Sequence, residues 1–282
     1  MRNIGFIILT WNSARVIEKC LQSIYDLHSF SSFVVVVDNG SLDETKSIIR
    51  SFVLSHKDKI SFHCHLIELD KNYGTTISRN KGFAYVREVY SDIDYICVLD
   101  SDTEINNESM IVLTRALSED EKCGIIGPRM HSEDGTYQVS ARSIPTITEK
   151  LFKVTPMRKF KQKGEELQRA VPLEGTGSVT VGYLMSACWV MRNETVSKIG
   201  FLDEKIFYAP EDVEYCIRCW KCGYKVMFCY DADILHHWQR LSRKKLFSKH
   251  NWEHLKGLGY LFVKYRYLFS NKRFENEINQ LH

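Results

Sequence analysis

The sequence lacks a large excess of either charge, a long apolar run and a recognisable export signal. Its 282 residues include 38 Lys and Arg against 35 Asp and Glu, a formal net charge of +3. So small a charge provides no global basic field for nucleic acid, and we expect no nucleic-acid partner. No stretch approaches the roughly 18 uncharged apolar residues of a membrane-spanning helix. The apolar content is sufficient for one large α/β domain or two small ones.

The amino-terminal segment and the cysteines both indicate an intracellular protein. The apolar run that ends at Leu9 is followed by polar residues 10–15, where a signal peptide would still need apolar length. The nine cysteines are odd in number and scattered, which favours reduced thiols. Cys216, Cys219 and Cys222 form C-x2-C-x2-C, but such spacing spreads them around a helix, so we interpret them as core or semi-buried thiols rather than a metal site. We expect a cytoplasmic protein.

Short runs rich in Ile, Val and Phe alternate with segments of helical periodicity in the first half. Such runs are typical of strands buried on both faces. The alternation predicts a right-handed, mostly parallel sheet flanked by helices, with ligands at the carboxyl ends of the strands. The predicted strands are Ile4–Leu9, Phe33–Val37, Phe62–Glu68, Tyr95–Leu99 and Gly124–Gly127, and the helices between them are Ala14–Leu27 and Ser41–Ser55.

The second half is less regular. Prolines and glycines in residues 131–182 predict a long, partly mobile insertion, whose basic segment Lys150–Arg169 is interpreted as a solvated loop or a candidate lid. Beyond it the pattern predicts a strand at Tyr183–Met191, a helix at Glu211–Lys221 and a strand at Lys225–Tyr230.

Polar side chains follow several of the predicted strands. Asp100 and Asp102 come directly after a buried strand, at an i, i+2 spacing that lets both carboxylates point the same way. Two such oxygen ligands suit Mg²⁺ or Mn²⁺, with substrate phosphates completing the shell. A turn or helix cap would use the same residue types, so Asp-x-Asp by itself leaves both interpretations open.

Other polar clusters support a nucleotide site. Asp38 begins Asp-Asn-Gly-Ser after the second strand, where its carboxylate can accept from a base N–H or a ribose hydroxyl. Arg79 offers a cation to a diphosphate. Glu211 and Asp212 open a later helix, where carboxylates also occur merely as complements to the helix dipole. His236 and His237 follow the last predicted strand.

Taken in order, these five motifs resemble glycosyltransferase family 2, an inverting group with the GT-A fold. The resemblance covers nearly all of Ile4 to His237. Within that family, Gly127-Pro128-Arg129 through Asp134-Gly135-Thr136 to Ser143–Thr146, and Gly200–Glu204 before Glu211, are most similar to rhamnosyltransferase-type members. The resemblance implies a Rossmann-like, mostly parallel central sheet flanked by helices, with a helical tail at the carboxyl end.

The resemblance also implies a role for each matching residue. Asp212 is expected to be the catalytic base, supported by Glu211, and Asp102 the principal metal ligand, with His236 the second. His237 would replace His236 if the register differed by one residue. The expected donor-binding residues are Thr10, Asn12, Asp38, Asn72, Arg79, Asp100 and Ser101.

These roles describe direct displacement of a nucleoside diphosphate by an acceptor hydroxyl. One base suffices for displacement with inversion, and a divalent cation, Mn²⁺ or Mg²⁺, stabilises the leaving diphosphate. The expected donor is dTDP-rhamnose or a UDP-sugar, and the expected acceptor is a saccharide, free or lipid-linked, of a bacterial cell-surface polysaccharide or O-antigen. The strand Met185–Trp189 lacks the small-residue run common in the family, which leaves the acceptor open.

Three rival functions use some of the same residues. A glycoside hydrolase would need neither the Asp38 cluster nor a metal motif. A sugar-phosphate nucleotidyltransferase would want a glycine-rich phosphate loop in place of Leu9–Arg15. A non-catalytic saccharide-binding module would tolerate loss of Asp102 or Asp212, and the sequence retains both.

The sequence is divided into a nucleotide-sugar-binding half, 1–130, an acceptor-binding and catalytic half, 131–238, and a basic tail, 239–282. The tail holds ten basic and three acidic residues, a net charge of +7 that leaves −4 for the rest. Leu258, Leu261, Phe262 and Tyr265 form an apolar stripe at helical spacing. This stripe indicates either a helix packed on the domain or peripheral attachment to an anionic membrane. Under the membrane interpretation, deletion after Ser248 would leave donor binding intact.

Overall fold

The computed structural model describes residues 1–154, 158–172, 174–237 and 249–279. The described elements are the strands β1 (Arg2–Thr10), β2 (Phe30–Asp38), β3 (Phe62–Glu68), β4 (Tyr95–Asp100), β5 (Thr103–Glu104), β6 (Cys123–His131), β7 (Tyr137–Gln138), β8 (Ala141–Arg142), β9 (Ser178–Thr180), β10 (Tyr183–Leu184), β11 (Cys188–Arg192) and β12 (Lys225–His236), and the helices α1 (Ile17–Tyr25), α2 (Thr45–Ser55), α3 (Thr75–Val89), α4 (Asn107–Glu119), α5 (Ile147–Val154), α6 (Arg158–Gln168), α7 (Asn193–Ile199), α8 (Glu211–Lys221), α9 (Lys249–Tyr265) and α10 (Lys272–Asn279).

One large sheet organises the chain. Its main strand order is β3-β2-β1-β4-β11-β6-β12-β5, and β7 and β9 pair at its side. The pairs β1–β2, β1–β4, β2–β3 and β6–β12 are parallel, while β11 runs antiparallel to β4 and β6. The predicted parallel arrangement is therefore confirmed for most of the long strands, while the short strands β5, β7 and β9 also pair antiparallel.

Apolar side chains fill both faces of the sheet, which is why the strands are continuous apolar runs. Ile7 of β1 packs in a core layer with Phe83 of α3 and Leu261 of α9. Its neighbour Ile8 points to the opposite layer, with Ile17 of α1 and residues of α2 and α4. The period-2 alternation of a strand thus divides consecutive residues between two helix layers.

Two predictions about the second half were wrong. The basic segment Lys150–Arg169 is not a loop, because most of its described residues lie in α5 and α6. Tyr183–Met191 is not one strand, because Met185–Ala187 separate β10 from β11. Met185 N donates to Ser140 O (3.0 Å), which turns this link out of the sheet.

The last strand is also longer than predicted. β12 continues past Tyr230 to His236, through an irregularity between Cys229 and Asp233. Both halves of the strand pair with β6, so the polar residues Asp231 and Asp233 lie within it rather than after it. Trp238 and residues 239–248 lie outside the described part of the chain.

The described part of the tail packs on the domain. Leu258, Leu261 and Tyr265 of the predicted apolar stripe are buried, and Phe262 is half-buried against the same core. Packing on the domain therefore accounts for this stripe. Among the described residues, no helix combines the length and apolar character needed to cross a membrane.

Candidate active site

The carboxyl ends of β1, β2 and β4 bring predicted donor-binding residues to one edge of the sheet. Thr10 lies opposite Asp38, and Leu9 lies opposite Asp100, in register across the parallel pairs. Thr10 and Asp38 are almost fully buried, and Thr10 Oγ1 and Asp38 Oδ2 have no hydrogen-bond partner in the described structure. Buried oxygens without partners are costly, so this corner of the fold is suited to a polar ligand.

Two polar loops close around this edge. Asn12 adopts a positive φ of 52°, and its Oδ1 accepts from Leu42 N at 2.9 Å. Ser101 Oγ lies 2.9 Å from Ser13 Oγ, which ties the loop after β4 to the loop after β1. Between them Trp11 is 43% exposed. Sequence analysis missed this aromatic side chain, although its place after a strand end was the available signal.

The predicted donor residue Asn72 shapes a turn. Its Oδ1 accepts from Gly74 N (2.9 Å) and from Asn39 Nδ2 (3.1 Å). Asn39, which sequence analysis did not select, also accepts through Oδ1 from Tyr73 N and Ser78 Oγ, both at 2.8 Å. Asn39 therefore holds the loop that follows β3 beside the end of β2.

Gly74 allows the loop between β3 and α3 to contact the segment before α8. Its φ is +84°, and a Cβ at this position would lie 2.1 Å from Phe207 O. The resulting close approach lets Thr75 N donate to Phe207 O (2.7 Å) and Thr76 Oγ1 to Ile206 O (2.6 Å). Residues 130 positions apart in the chain are joined here without any regular strand pairing.

Arg79 connects the predicted donor residue Asp100 to Glu211, the residue next to the predicted catalytic base Asp212. The guanidinium is buried and donates to Asp100 Oδ1 (2.5 Å) and Glu211 Oε1 (3.3 Å). It also donates to Ser186 Oγ at 2.8 Å. Burial raises the pKa of Asp100, while the adjacent Arg79 charge lowers it, and the net shift is upward. The arginine thus fixes two carboxylates as well as lying near the predicted donor site.

Glu211 and Asp212 lie at the start of α8 beside a cavity of about 260 Å³. Glu211 Oε1 accepts from Ser186 Oγ (3.0 Å) as well as from Arg79, and burial together with the Asp212 charge raises its pKa to about 8. Asp212 Oδ1 accepts from Val213 N at 2.8 Å. Burial also raises the pKa of Asp212. Both carboxylates line the cavity, together with Leu9, Thr75, Arg79, Asp100, Met185, Ser186, Ala187, Tyr208 and Ala209.

The insertion adds cations near Asp212 that sequence analysis missed. Arg142 of β8 lies opposite Tyr183 of β10, and Lys150 lies on α5. Their positive charges lower the pKa of Asp212 against the larger effect of burial. Burial in turn lowers the pKa of Lys150 itself, although Glu149 and Asp212 oppose the shift. The basic segment therefore contributes at least one residue to the surroundings of the predicted base.

Asp102 and His236 lie together, as predicted for metal ligands. His236 is opposite Thr103 in the β12–β5 pair, so its ring reaches the carboxylate one residue earlier, with 3.4 Å between Nε2 and Asp102 Oδ1. Potential ligand atoms of Asp100, Asp102 and His236 all lie within 4.8 Å of one another. Burial lowers the pKa of His236, but the hydrogen bond and charge of Asp102 outweigh it, and the net pKa is raised.

Gln138 orients the His236 ring, a role that sequence analysis missed. Gln138 Nε2 donates to His236 O (2.9 Å) and Ser132 Oγ (3.0 Å), which directs its Oε1 towards His236 Nδ1 at 2.7 Å. An amide oxygen only accepts, so Nδ1 carries a proton, and Nε2 is the nitrogen that donates to Asp102 when protonated and offers its lone pair to a cation when not. One imidazole nitrogen and carboxylate oxygens form a donor set that fits Mn²⁺ or Mg²⁺.

His237 lies outside this cluster. Its ring contacts Glu104 Oε1 through Nε2 and Glu133 Oε1 through Nδ1, the latter at 2.9 Å. The register therefore assigns the position beside Asp102 to His236.

Comparisons with known proteins identify the family of the chain. The family model described as glycosyl transferase family 2 matches residues 6–190, more than half of the chain. The chain is 24% identical to an N-acetylglucosaminyl-diphospho-decaprenol L-rhamnosyltransferase of Mycobacterium tuberculosis, over 82% of this chain and 75% of that protein. It is also 24% identical to a dTDP-rhamnosyl transferase of Shigella flexneri, over 83% of this chain and 69% of that protein.

Solved structures show the same fold. A mannosyltransferase of Pyrobaculum calidifontis, solved with GDP-Man and Mn²⁺, superposes with a TM-score of 0.61 and 17% identity, over 98% of this chain and 68% of that chain. The structural neighbours are GT-A glycosyltransferases, which confirms the predicted fold. With the family model and the rhamnosyltransferase relatives in agreement, the chain belongs to glycosyl transferase family 2 and is a glycosyltransferase.

Proposed function

We propose that this enzyme transfers a hexosyl group, with inversion, from a nucleoside-diphosphate sugar to a hydroxyl of a saccharide acceptor. The observation that carries this proposal is the pair of salt bridges made by Arg79. They join Asp100 of the Asp-x-Asp motif to Glu211, which is adjacent to Asp212. A donor held at one end would thereby lie beside a base at the other. Rhamnosyltransferase relatives support dTDP-rhamnose as the donor, with a UDP-sugar as the alternative.

Asp212 is the proposed general base. The acceptor oxygen attacks the anomeric carbon, the bond from that carbon to the diphosphate oxygen breaks, and the acceptor proton passes to Asp212. Glu211 is less suited to this role, because Arg79 and Ser186 already donate to it and its pKa is raised to about 8. Glu211 instead positions the guanidinium of Arg79, which also holds Asp100.

Asp102 and His236 are the proposed metal ligands, with Mn²⁺ or Mg²⁺ as the ion. Such a cation would neutralise charge on the departing diphosphate. Asp38 and Thr10 are proposed to receive the nucleoside, because their oxygens are buried without partners at the adjoining strand ends. Asn12, Asn72 and Ser101 would shape the loops around it.

The biological setting is proposed from the relatives. The name of the mycobacterial relative specifies an acceptor saccharide on a lipid diphosphate. We infer a lipid-linked acceptor here too, in bacterial cell-surface polysaccharide or O-antigen synthesis, with the enzyme in the cytoplasm at the inner face of the membrane.

The test is nucleotide binding by calorimetry with dTDP and UDP, with and without Mn²⁺. The wild-type chain should bind in a Mn²⁺-dependent manner, and Asp102→Ala should lose that dependence. Asp231→Ala is the matched control, because this exposed aspartate lies on the same strand as His236 but outside the metal cluster. Unchanged Mn²⁺ dependence in Asp102→Ala would remove this residue from the metal site. Failure of the wild-type chain to bind any nucleoside diphosphate would overturn the proposed function.

A further inference from the structure

Helix α9 has a second apolar face, opposite the one that packs on the domain. Trp252, Leu255 and Val263 are 60%, 60% and 79% exposed. Together with Gly259, whose missing Cβ would meet only open space, they recur at i, i+3, i+7 and i+11 and so share one side of the helix. The buried residues Leu258, Leu261 and Tyr265 lie on the other side.

The turn after α9 carries a further exposed apolar side chain. Phe269 is 72% exposed, yet the turn that carries it is anchored, because Leu268 O accepts from Ile147 N at 2.9 Å. Asn271 Nδ2 adds a bond to Ile144 O at 3.0 Å. The exposed aromatic ring is therefore presented by a turn fixed on the insertion, rather than by a frayed helix end.

Basic residues accompany these apolar side chains. Lys256 lies on the same side of the helix as Trp252, and Arg266, directly after the helix, is exposed like Lys256. The Lys256 ammonium lies 5.8 Å from the Trp252 ring centroid. Its ion pair with Glu253 is exposed and so leaves the charge available to a partner. Lys272, at the start of α10, adds a further exposed cation.

We propose that the outer face of α9 and the turn at Phe269 form a surface that binds an anionic lipid bilayer. Aromatic and aliphatic side chains mixed with Lys and Arg suit the boundary between headgroups and acyl chains. A second copy of the chain is a poorer occupant, since it would bring the same positive charges against these ones. The charges are complementary to anionic headgroups instead.

The position of this surface relates it to the proposed reaction. The inner side of α9 touches the backbone just before Glu211 and Asp212, because a Cβ on Gly257 would lie 2.2 Å from Ala209 O. One helix would therefore bring the bilayer to the side of the domain that holds Asp212. The link to a lipid-linked acceptor rests on the proposed function, whereas binding to the bilayer does not depend on it.

The test is co-sedimentation of the full chain with vesicles of phosphatidylglycerol and phosphatidylcholine at low and high salt. The wild-type chain should bind at low salt and dissociate as salt rises, because part of the attraction is screened. The double variant Leu255→Glu/Val263→Glu should lower the partition coefficient by about tenfold or more, since it adds repulsion and removes apolar contact. Both positions are exposed, so folding should be unaffected.

Leu54→Glu/Ile60→Glu is the matched control, because these residues are 69% and 92% exposed elsewhere on the chain. The control should bind vesicles like the wild type. No binding by the wild type at low salt, or an equal loss in the control, would overturn the proposal. So would a wild-type oligomer that the α9 variant converts to monomers, as measured by light scattering.

Nucleotide binding, measured on the same preparations, separates this proposal from the proposed function. The α9 variant should keep the wild-type affinity for dTDP or UDP with Mn²⁺. Vesicle binding without nucleotide binding would support the proposed lipid-binding surface and contradict the proposed function. Nucleotide binding without vesicle binding would contradict only the lipid-binding surface.

Discussion

Two adjacent carboxylates at the start of α8 have different surroundings. Glu211 accepts from Arg79 and Ser186, whereas Asp212 accepts from the backbone N–H of Val213 in its own helix. A carboxyl with a pKa near 8 holds its proton through most of the neutral range and is therefore not free to take the acceptor proton there. Environment, rather than residue type, therefore distinguishes the proposed base from its neighbour.

Asp212→Asn should reduce turnover while preserving donor binding. The amide keeps the shape of the side chain but cannot take the acceptor proton, so kcat should fall by about 10²–10⁴-fold. The measurement is release of nucleoside diphosphate from dTDP-rhamnose or a UDP-sugar, in the presence of a lipid-linked N-acetylglucosamine diphosphate. Donor affinity by calorimetry should stay within about twofold of wild type.

Glu211→Gln is the informative comparison. Because the folded-state pKa of Glu211 is raised from 4.5 to about 8, its contribution to stability is present below pH 4.5 and is lost as pH rises through 8. The Gln variant should lack that decline in the free energy of unfolding between pH 5 and 8, as measured by denaturant titration. A larger loss of kcat in Glu211→Gln than in Asp212→Asn would transfer the role of base to Glu211.

At the scale of elements, α9 approaches the loop before α8 because of a glycine. Gly257 faces Ala209 and Pro210, and a Cβ there would lie 2.2 Å from a backbone oxygen that cannot move alone. Gly259, two residues later, faces open space. The two glycines share one helix and differ only in what they touch, so they form a matched pair.

Gly257→Ala should destabilise the protein by about 1–3 kcal/mol, because the methyl group forces α9 away from Ala209. Gly259→Ala should instead stabilise it by up to about 1 kcal/mol, through the higher helix propensity of alanine. Thermal or denaturant unfolding of both variants provides the comparison. Equal effects in the two variants would contradict the close packing of α9 on this loop.

At the scale of the whole molecule, the tail completes the catalytic domain. Glu214 of α8 is fully buried, and its Oε1 accepts from Lys264 Nζ (2.7 Å) and Tyr265 OH (2.8 Å) on α9. Arg218 Nε donates to the same carboxylate at 3.0 Å. Lys264 also donates to Asp203 at 2.6 Å. A buried carboxylate thus depends on two donors from the tail.

Deletion after Ser248 should therefore abolish stable folding, and with it donor binding, contrary to the expectation from sequence. The deletion removes two donors from buried Glu214 and uncovers the core around Leu261. Circular dichroism and nucleotide calorimetry of the truncated chain would measure this. A truncated chain with wild-type melting temperature and donor affinity would show that the tail is dispensable.

The sequence by itself determined the family, the order of the first strands and helices, and the residue types at the strand ends. Buried parallel strands are continuous apolar runs, and loops that bind ligands follow them, so Asp38, Asp100 and Asp102 could be found from local pattern. The proposed pairing of Asp102 with His236 came from family resemblance, since nothing local relates positions so far apart.

Tertiary structure decided which side chains meet and which face outward. Arg79 looked like a cation for phosphate, yet only the fold places Asp100 and Glu211 on either side of it. Gln138 carries no motif, and its contact with His236 depends on β7 pairing with β6, the strand that also pairs with β12. The tail has two apolar faces, and periodicity cannot tell which one is buried. Contact with the Ala209 backbone and with buried Glu214 selects the inner face and leaves Trp252 and Val263 exposed.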